Sequence, residues 1–153
     1  MEDFQVVMSP DIVDVLRHEH GQIRQLCTDV SVAGRSRKKR PLAALQQAVR
    51  LHQLGELSVA HPAARNSGPN GDTIALACQA KGEQVERSLT ELARLGVEHP
   101  DFDARFVALS GALHDHAASQ ELDEFPLLRC YVPRQRLHMM ASSMRDVRIM
   151  ALG

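Results

Sequence analysis

The chain has no tryptophan, one tyrosine and four phenylalanines. Without interleaved aromatic side chains it lacks the stacking platforms that hold single-stranded nucleic acid. Cysteine is sparse as well: Cys27, Cys78 and Cys130 are an odd number at wide, unpatterned spacing. Neither a disulfide scaffold nor a zinc ribbon is built that way, and the pattern points to a reducing cytoplasm. No apolar run approaches the roughly 18 residues that a membrane span needs. The stretch Met1 to Pro10 shows no apolar core followed by a cleavage site, so no secretory leader is expected. A net charge of −1 provides no global field toward nucleic acid or anionic lipid. What the sequence does hold is histidine, eight of them in 153 residues.

Hydrophobic residues at 44% and charged residues at 24% are ordinary globular usage, and the length predicts a single domain spanning residues 1–153. Apolar residues recur at spacings of three and four, and alternating β-branched runs are absent, which predicts an all-α fold. The first helix is expected to open at Ser9 as cap with Pro10 in its first turn. Its stripe reads Ile12, Leu16, His20, Ile23, Cys27, Val30. A second helix is expected after Pro41, with Leu42, Leu45, Val49, His52, Glu56 and Val59 on one face, stopping near Pro62. After the Gly/Pro/Asn loop from Asn66 to Gly71, Asp72 is the expected cap of a third helix that ends before Gly96. Pro100 and Asp101 open a fourth helix that carries Phe106, Leu109, Leu113, His116, Glu121 and Phe125. Helices of about 20 residues, roughly 30 Å each, predict an up-down-up-down four-helix bundle over about residues 9–132. A short C-terminal helix over about 133–153 would lay Leu137, Met140, Met144 and Val147 on one face.

Four polar side chains interrupt these core stripes. His20, His52, Glu56 and His116 stand where the period asks for Leu or Val. A buried carboxylate or imidazole without a partner costs several kcal/mol, so these groups must satisfy one another or share an ion. His52 and Glu56 are four residues apart on one face; His116 and Glu121 are five apart and align only if the helix widens locally. Inward His and carboxylate side chains from several helices are how bundles hold non-haem di-iron centres.

A weak internal duplication runs through the same residues. His52 is followed nine residues later by His61-Pro62, and His116 nine residues later by Phe125-Pro126. On the odd helices, His20-Gly21-Gln22-Ile23 parallels Gly82-Glu83-Gln84-Val85. Gly82 therefore stands where the second half would supply a partner to His20. Either close helix packing or an open coordination position explains a core-facing glycine there. His61 has two readings as well. Its duplicate, Phe125, suggests packing, and an ideal helix points it away from His52, whereas a break at Pro62 would swing it inward.

The segments LRHEHGQIRQL, LHQLGELSVAHPAAR and LHDHAASQELDEFPLLR together resemble the hemerythrin-like (HHE cation-binding) domains, in particular their bacterial branch, over nearly the whole chain. The resemblance implies a non-haem iron site, di-iron in the family's manner, with His20, His52 and His116 as terminal ligands and Glu56 and Glu121 as bridging carboxylates. It also implies one or two third-helix ligands, usually His. Here Cys78 and Gly82 hold those positions, so the second metal position is incomplete; His61 or Glu86 are the residues that would complete it. The function implied is binding or sensing of oxygen, nitric oxide, peroxide or iron. Two alternatives stand beside it: a di-iron enzyme that decomposes peroxide or oxygenates a small substrate, and a bundle with a vestigial site that binds a protein partner. The basic run Arg35 to Arg40 is read as a solvated loop rather than a nucleic-acid patch, and His18 and His114 as solvent-facing.

Overall fold

The structure, a computed structural model, describes residues 9–153; up to Met8, the stretch inspected for a leader lies outside the described residues. Its elements are α1 (Ile12–Val32), a 3-10 turn (Arg35–Arg37), α2 (Lys39–Gly55), a π-helical turn (Glu56–Ala60), α3 (His61–Arg65), α4 (Gly71–Leu95), α5 (Phe102–Ser119), a second π-helical turn (Gln120–Glu124), α6 (Phe125–Tyr131) and α7 (Arg134–Leu152). No strand occurs among the described residues. Each π-turn joins its flanking helices without a break, so α1, α2–α3, α4 and α5–α6 make a four-helix bundle. The C-terminal helix α7 packs across α1, α2 and the first π-turn.

Local chemistry moves several expected boundaries. The cap of α1 is Asp11, not Ser9, because Asp11 and Asp14 form a reciprocal capping box at 2.9 and 3.1 Å. Helix α4 begins at Gly71, and Asp72 pairs with Arg65 at 2.9 Å instead of capping. Helix α2 starts at Lys39, two residues before Pro41, where the first turn leaves an N–H without a helical partner in any case. Lys38, taken from the basic run, is buried and donates from Nζ to the carbonyls of Val30 (2.6 Å) and Ser31 (3.3 Å), closing the end of α1.

The two π-turns share one cause. Pro62 and Pro126 lie in the first turn of α3 and α6, immediately after the two wide turns. A proline inside a helix has no N–H to donate and its ring presses on the carbonyl four residues earlier. Widening the preceding turn relieves that pressure, and the helix continues through Pro62 to Arg65 rather than stopping. His61 N–H then bonds to the Glu56 carbonyl, and Phe125 N–H to that of Gln120, each across five residues. The extra residue resets the buried face: Ala60 is buried where an unbroken period would bury Val59.

The interior has two apolar regions separated by a polar layer. One gathers Ile12, Leu16, Ala64, Phe125, Leu128 and, from α7, Met140 and Met144. The other gathers Ile23, Leu45, Val49, Leu89, Phe106 and Leu109. Helices α1, α2–α3 and α5–α6 pass from one region to the other and contribute polar side chains in between, whereas α4 passes the same level with Cys78 and Gly82. Helix α7 closes the first region, and Met144 occupies the space that a Cβ on Gly55 would take.

Candidate metal centre

The polar layer buries His20, His52, Gln53, Glu56, His61, His116, Gln120 and Glu124, with Glu19 at its edge. Donor atoms of His20, His52 and Glu56 lie within 4.8 Å of one another. Glu56 is the hub. Its Oε1 lies 2.7 Å from His52 Nε2 and its Oε2 lies 3.4 Å from His61 Nε2. His61 Nδ1 is 2.7 Å from Glu124 Oε1, and His52 Nδ1 is 3.0 Å from Glu19 Oε1. Glu19 in turn forms an ion pair with Arg148, so α7 braces the ring of His52 from outside.

The layer is short of hydrogen bonds for its burial. Both ring nitrogens of His116, His52 Nε2, His61 Nε2 and both oxygens of Glu56 lack an aligned hydrogen-bond partner. Glu124 Oε2 and Gln120 Nε2 are in the same position. Buried polar groups are nearly always satisfied, so this many unpaired donor atoms around one carboxylate make a ligand set suited to an ion. Imidazole and carboxylate are the donors that non-haem iron and its neighbours take, and the residues present therefore fit a metal.

The electrostatics divide the histidines into two kinds. Burial pulls His116 down to about 4, and burial with the neighbouring His52 charge pulls His20 down too. Both rings are therefore neutral near pH 7, each with a lone pair to offer. Burial also acts downward on His52 and His61, but Glu56 and Glu19 hold the first up to about 10, and Glu124 and Glu56 the second up to about 9. Burial would raise Glu56, yet the two facing imidazoliums outweigh it and hold that carboxyl well below its usual range. In the metal-free chain, protons on His52 and His61 supply the positive charge that Glu56 needs.

The structure brings five of the seven expected residues into the layer: His20, His52, Glu56, His61 and His116. His61 arrives because the π-turn rotates it by the extra residue, not because Pro62 ends the helix. Glu121 reaches only the edge. Its side chain is 33% exposed and its Oε1 lies 3.0 Å from His20 Nδ1. Its expected place, the counterpart of Glu56, is held by Gln120, which opens the second π-turn as Glu56 opens the first and lies 3.1 Å from His20 Nε2. The fully buried carboxylate of this turn is Glu124, three residues beyond Glu121. Glu86 is not brought to the layer at all: it borders a surface cavity with Gln46, Gln47 and Arg50. Phe125 stacks on the His20 ring at 5.5 Å between centroids. Cys78 is buried, its thiol pushed up by burial and by the Glu124 carboxylate, which makes it a poor thiolate donor. His18 and His114 are exposed, as expected.

Sequence reasoning missed Glu19, Gln53, Gln120 and Glu124. The signal for Gln120 and Glu124 was available in the Phe-Pro that follows them, since His116, Gln120 and Glu124 recur at fours. Gln53 resolves the question of Gly82. A Cβ at Gly82 would fall 2.6 Å from Gln53 Oε1 and 2.9 Å from its Cδ, so the glycine admits a buried amide from the opposite helix. The expected open coordination position is filled. Gly82→Ala gains about 1 kcal/mol of helix propensity but must displace that amide, and the expected net result is a loss of stability in denaturant titrations. Gln53→Ala in the same chain should cancel the loss, a non-additive double-mutant cycle. A stabilised Gly82→Ala single variant would contradict the packing role.

No protein-family model matches the chain, and no curated protein matches it. Among solved structures, a hemerythrin HHE cation-binding domain-containing protein from Mycobacterium kansasii matches with a TM-score of 0.80 over 94% of this chain and 90% of that one, at 21% sequence identity. The fold is hemerythrin-like. Within this hemerythrin-like bundle the polar layer lies midway along the helices, walled from water at both ends by the apolar regions.

Proposed function

We propose that this chain is a non-haem iron protein that binds or senses oxygen, nitric oxide, peroxide or iron through its buried His and Glu layer. The observation that carries the reading is the set of orphaned donor atoms around Glu56, above all the two free nitrogens of His116. His20, His52 and His116 would hold metal as neutral imidazoles, and Glu56 would offer one oxygen to each of two positions. His61 and Glu124 would complete the second position, with Glu121 steadying the ring of His20. The positions are then inequivalent, the one at His20 and His52 being the tighter. Iron, when bound, supplies reversible electron transfer and an open position for a small ligand. The rest falls to the chain: Glu19 and Arg148 fix the orientation of His52, Phe125 fixes that of His20, and the two apolar regions close the layer along the bundle axis.

No described helix is long and apolar enough to cross a membrane. Separately, the sparse, unpatterned cysteines favour the reducing cytoplasm as its location, and the length favours a single domain. The alternative of an enzyme acting on a small substrate gains support from a cavity that reaches the layer at His20, His52 and His116.

Metal analysis of protein from iron-sufficient cells, together with ferrous and ferric absorption spectra, tests the reading. Roughly one to two irons per chain are expected, with a spectral change when oxygen, nitric oxide or peroxide meets the ferrous form. Protein that neither carries iron nor takes it up would overturn the reading in favour of a partner-binding bundle.

A further inference from the structure

Helix α1 packs less closely against α5 than against α2. The cause is in the sequence: α1 turns Cys27, Thr28 and Ser31 toward Ser110, Gly111 and Ala117 of α5, and such small side chains leave the seam unfilled. What remains is a cavity of about 460 Å³. Its inner end is formed by His20, His52 and His116, and its wall by Ile23, Val49 and Leu113. His116, only 4% exposed and with both nitrogens unpartnered, borders this cavity.

Size decides what kind of ligand fits. At about 30 Å³ per water-sized group, the cavity holds on the order of 15 such groups. Oxygen, nitric oxide and peroxide each need only one or two. Volumes of this size are those of small-molecule sites; here Ile23, Val49 and Leu113 give the wall its apolar surface, and Thr28, Ser31 and Ser110 add hydroxyls along the seam. Charge decides the head group. Arg24 borders the mouth, and among the described residues no Asp or Glu lines the cavity. Gly111 shows that the mouth is not closed by packing: a Cβ there would meet nothing within 4 Å, although a glycine inside a helix costs about 1 kcal/mol relative to alanine.

We propose that this cavity binds a small amphipathic carboxylate, an aliphatic acid of about eight to ten carbons, with its chain along the seam and its carboxylate on Arg24. As a ligand presented to iron it rests on the function proposed above; as a binding site it stands on the cavity itself.

Octanoate is the probe, titrated by calorimetry into the full chain as isolated, with the metal content of the same sample measured. One saturable site per chain is expected. Arg24→Gln should weaken octanoate at least tenfold and leave 1-octanol unchanged. Gly111→Leu should abolish binding of both compounds without lowering the melting temperature, since leucine favours the helix and grows into open space. Failure of octanoate to bind at one site, equal octanoate affinity in Arg24→Gln, or equal affinity in a folded Gly111→Leu protein overturns the proposal. The metal content separates the two readings. Iron present without octanoate binding rejects the cavity ligand alone. Octanoate bound by a chain unable to take up iron rejects the iron reading alone.

Discussion

Glu56→Ala should strip the protein of metal, whereas His114→Ala should leave its metal content at the wild-type level. Both residues lie on the middle turns of long helices, but one is at the centre of the layer and the other is exposed. Glu56 alone faces both His52 and His61 with its two oxygens. Its removal takes a shared donor from both proposed metal positions at once. In the metal-free state it also leaves two buried imidazoliums short of a counter-charge. Breaking a buried pair by deleting one member costs about 3–5 kcal/mol, or a fall in melting temperature of roughly 10 °C for a chain of this size. Glu56→Gln keeps the volume and hydrogen-bonding capacity of the side chain, so a folded variant is available even if alanine unfolds the bundle. Metal analysis on Glu56→Gln and His114→Ala decides the matter: equal contents would refute the role assigned to Glu56.

Chelation should lower the melting temperature by about 10 °C, the stabilisation expected when free metal stands near 1,000 times its dissociation constant. Rebinding should release roughly two protons per chain, because metal displaces those on His52 and His61. The sign follows from the direction of each shift. His52 and His61 are raised to about 10 and about 9 from an ordinary 6.5, so their contribution to the metal-free fold is full below pH 6.5 and drains away as pH rises through those values. His116 and His20 are lowered, so theirs is full above pH 6.5 and is lost as pH falls, for His116 toward about 4. The lowered Glu56 likewise contributes above its usual 4.5 and loses that contribution on acidification. The metal-free chain should therefore melt highest near pH 6.5 and lower on both sides. Metal loading should flatten the alkaline fall, since those protons are gone already, and metal affinity should weaken as pH drops. Thermal melts from pH 5 to pH 9, with and without chelator, give the answer. A flat alkaline limb in the chelated protein would mean that Glu56 is not paired with protonated histidines.

The helical bundle was legible because its cause is repetitive. Ile12, Leu16, Ile23 and Val30, or Leu42, Leu45 and Val49, recur at the period of a helix over many turns, and each repeat reinforces the same face. The polar interruptions at His20, His52, Glu56 and His116 were legible for the same reason, as exceptions on an otherwise regular stripe. The period fails where the backbone changes its own period. At Glu56–Ala60 and Gln120–Glu124 one extra residue enters the turn, so that a side chain five residues on, His61 from Glu56, also returns to the same face. The widening begins only at Gln120, so Glu121, five residues from His116, stays at the edge and Glu124 is the fully buried carboxylate; no periodicity places such a turn, which leaves His61 with two readings.

The sequence by itself determined the helices, the polar layer at their midpoints, and, through Pro62 and Pro126, the two points where the helices must widen. These are local matters, decided by side chains within a turn or two of one another. Only the tertiary structure decided which polar groups meet. Gln53 fills the space over Gly82, Glu19 reaches His52 and is held by Arg148, and Gln120 and Glu121 flank His20. Each of these pairs joins different helices, so the rotation and axial offset of whole helices set the distance between them. Packing two apolar regions at once fixes that rotation and offset, and no window of sequence contains both.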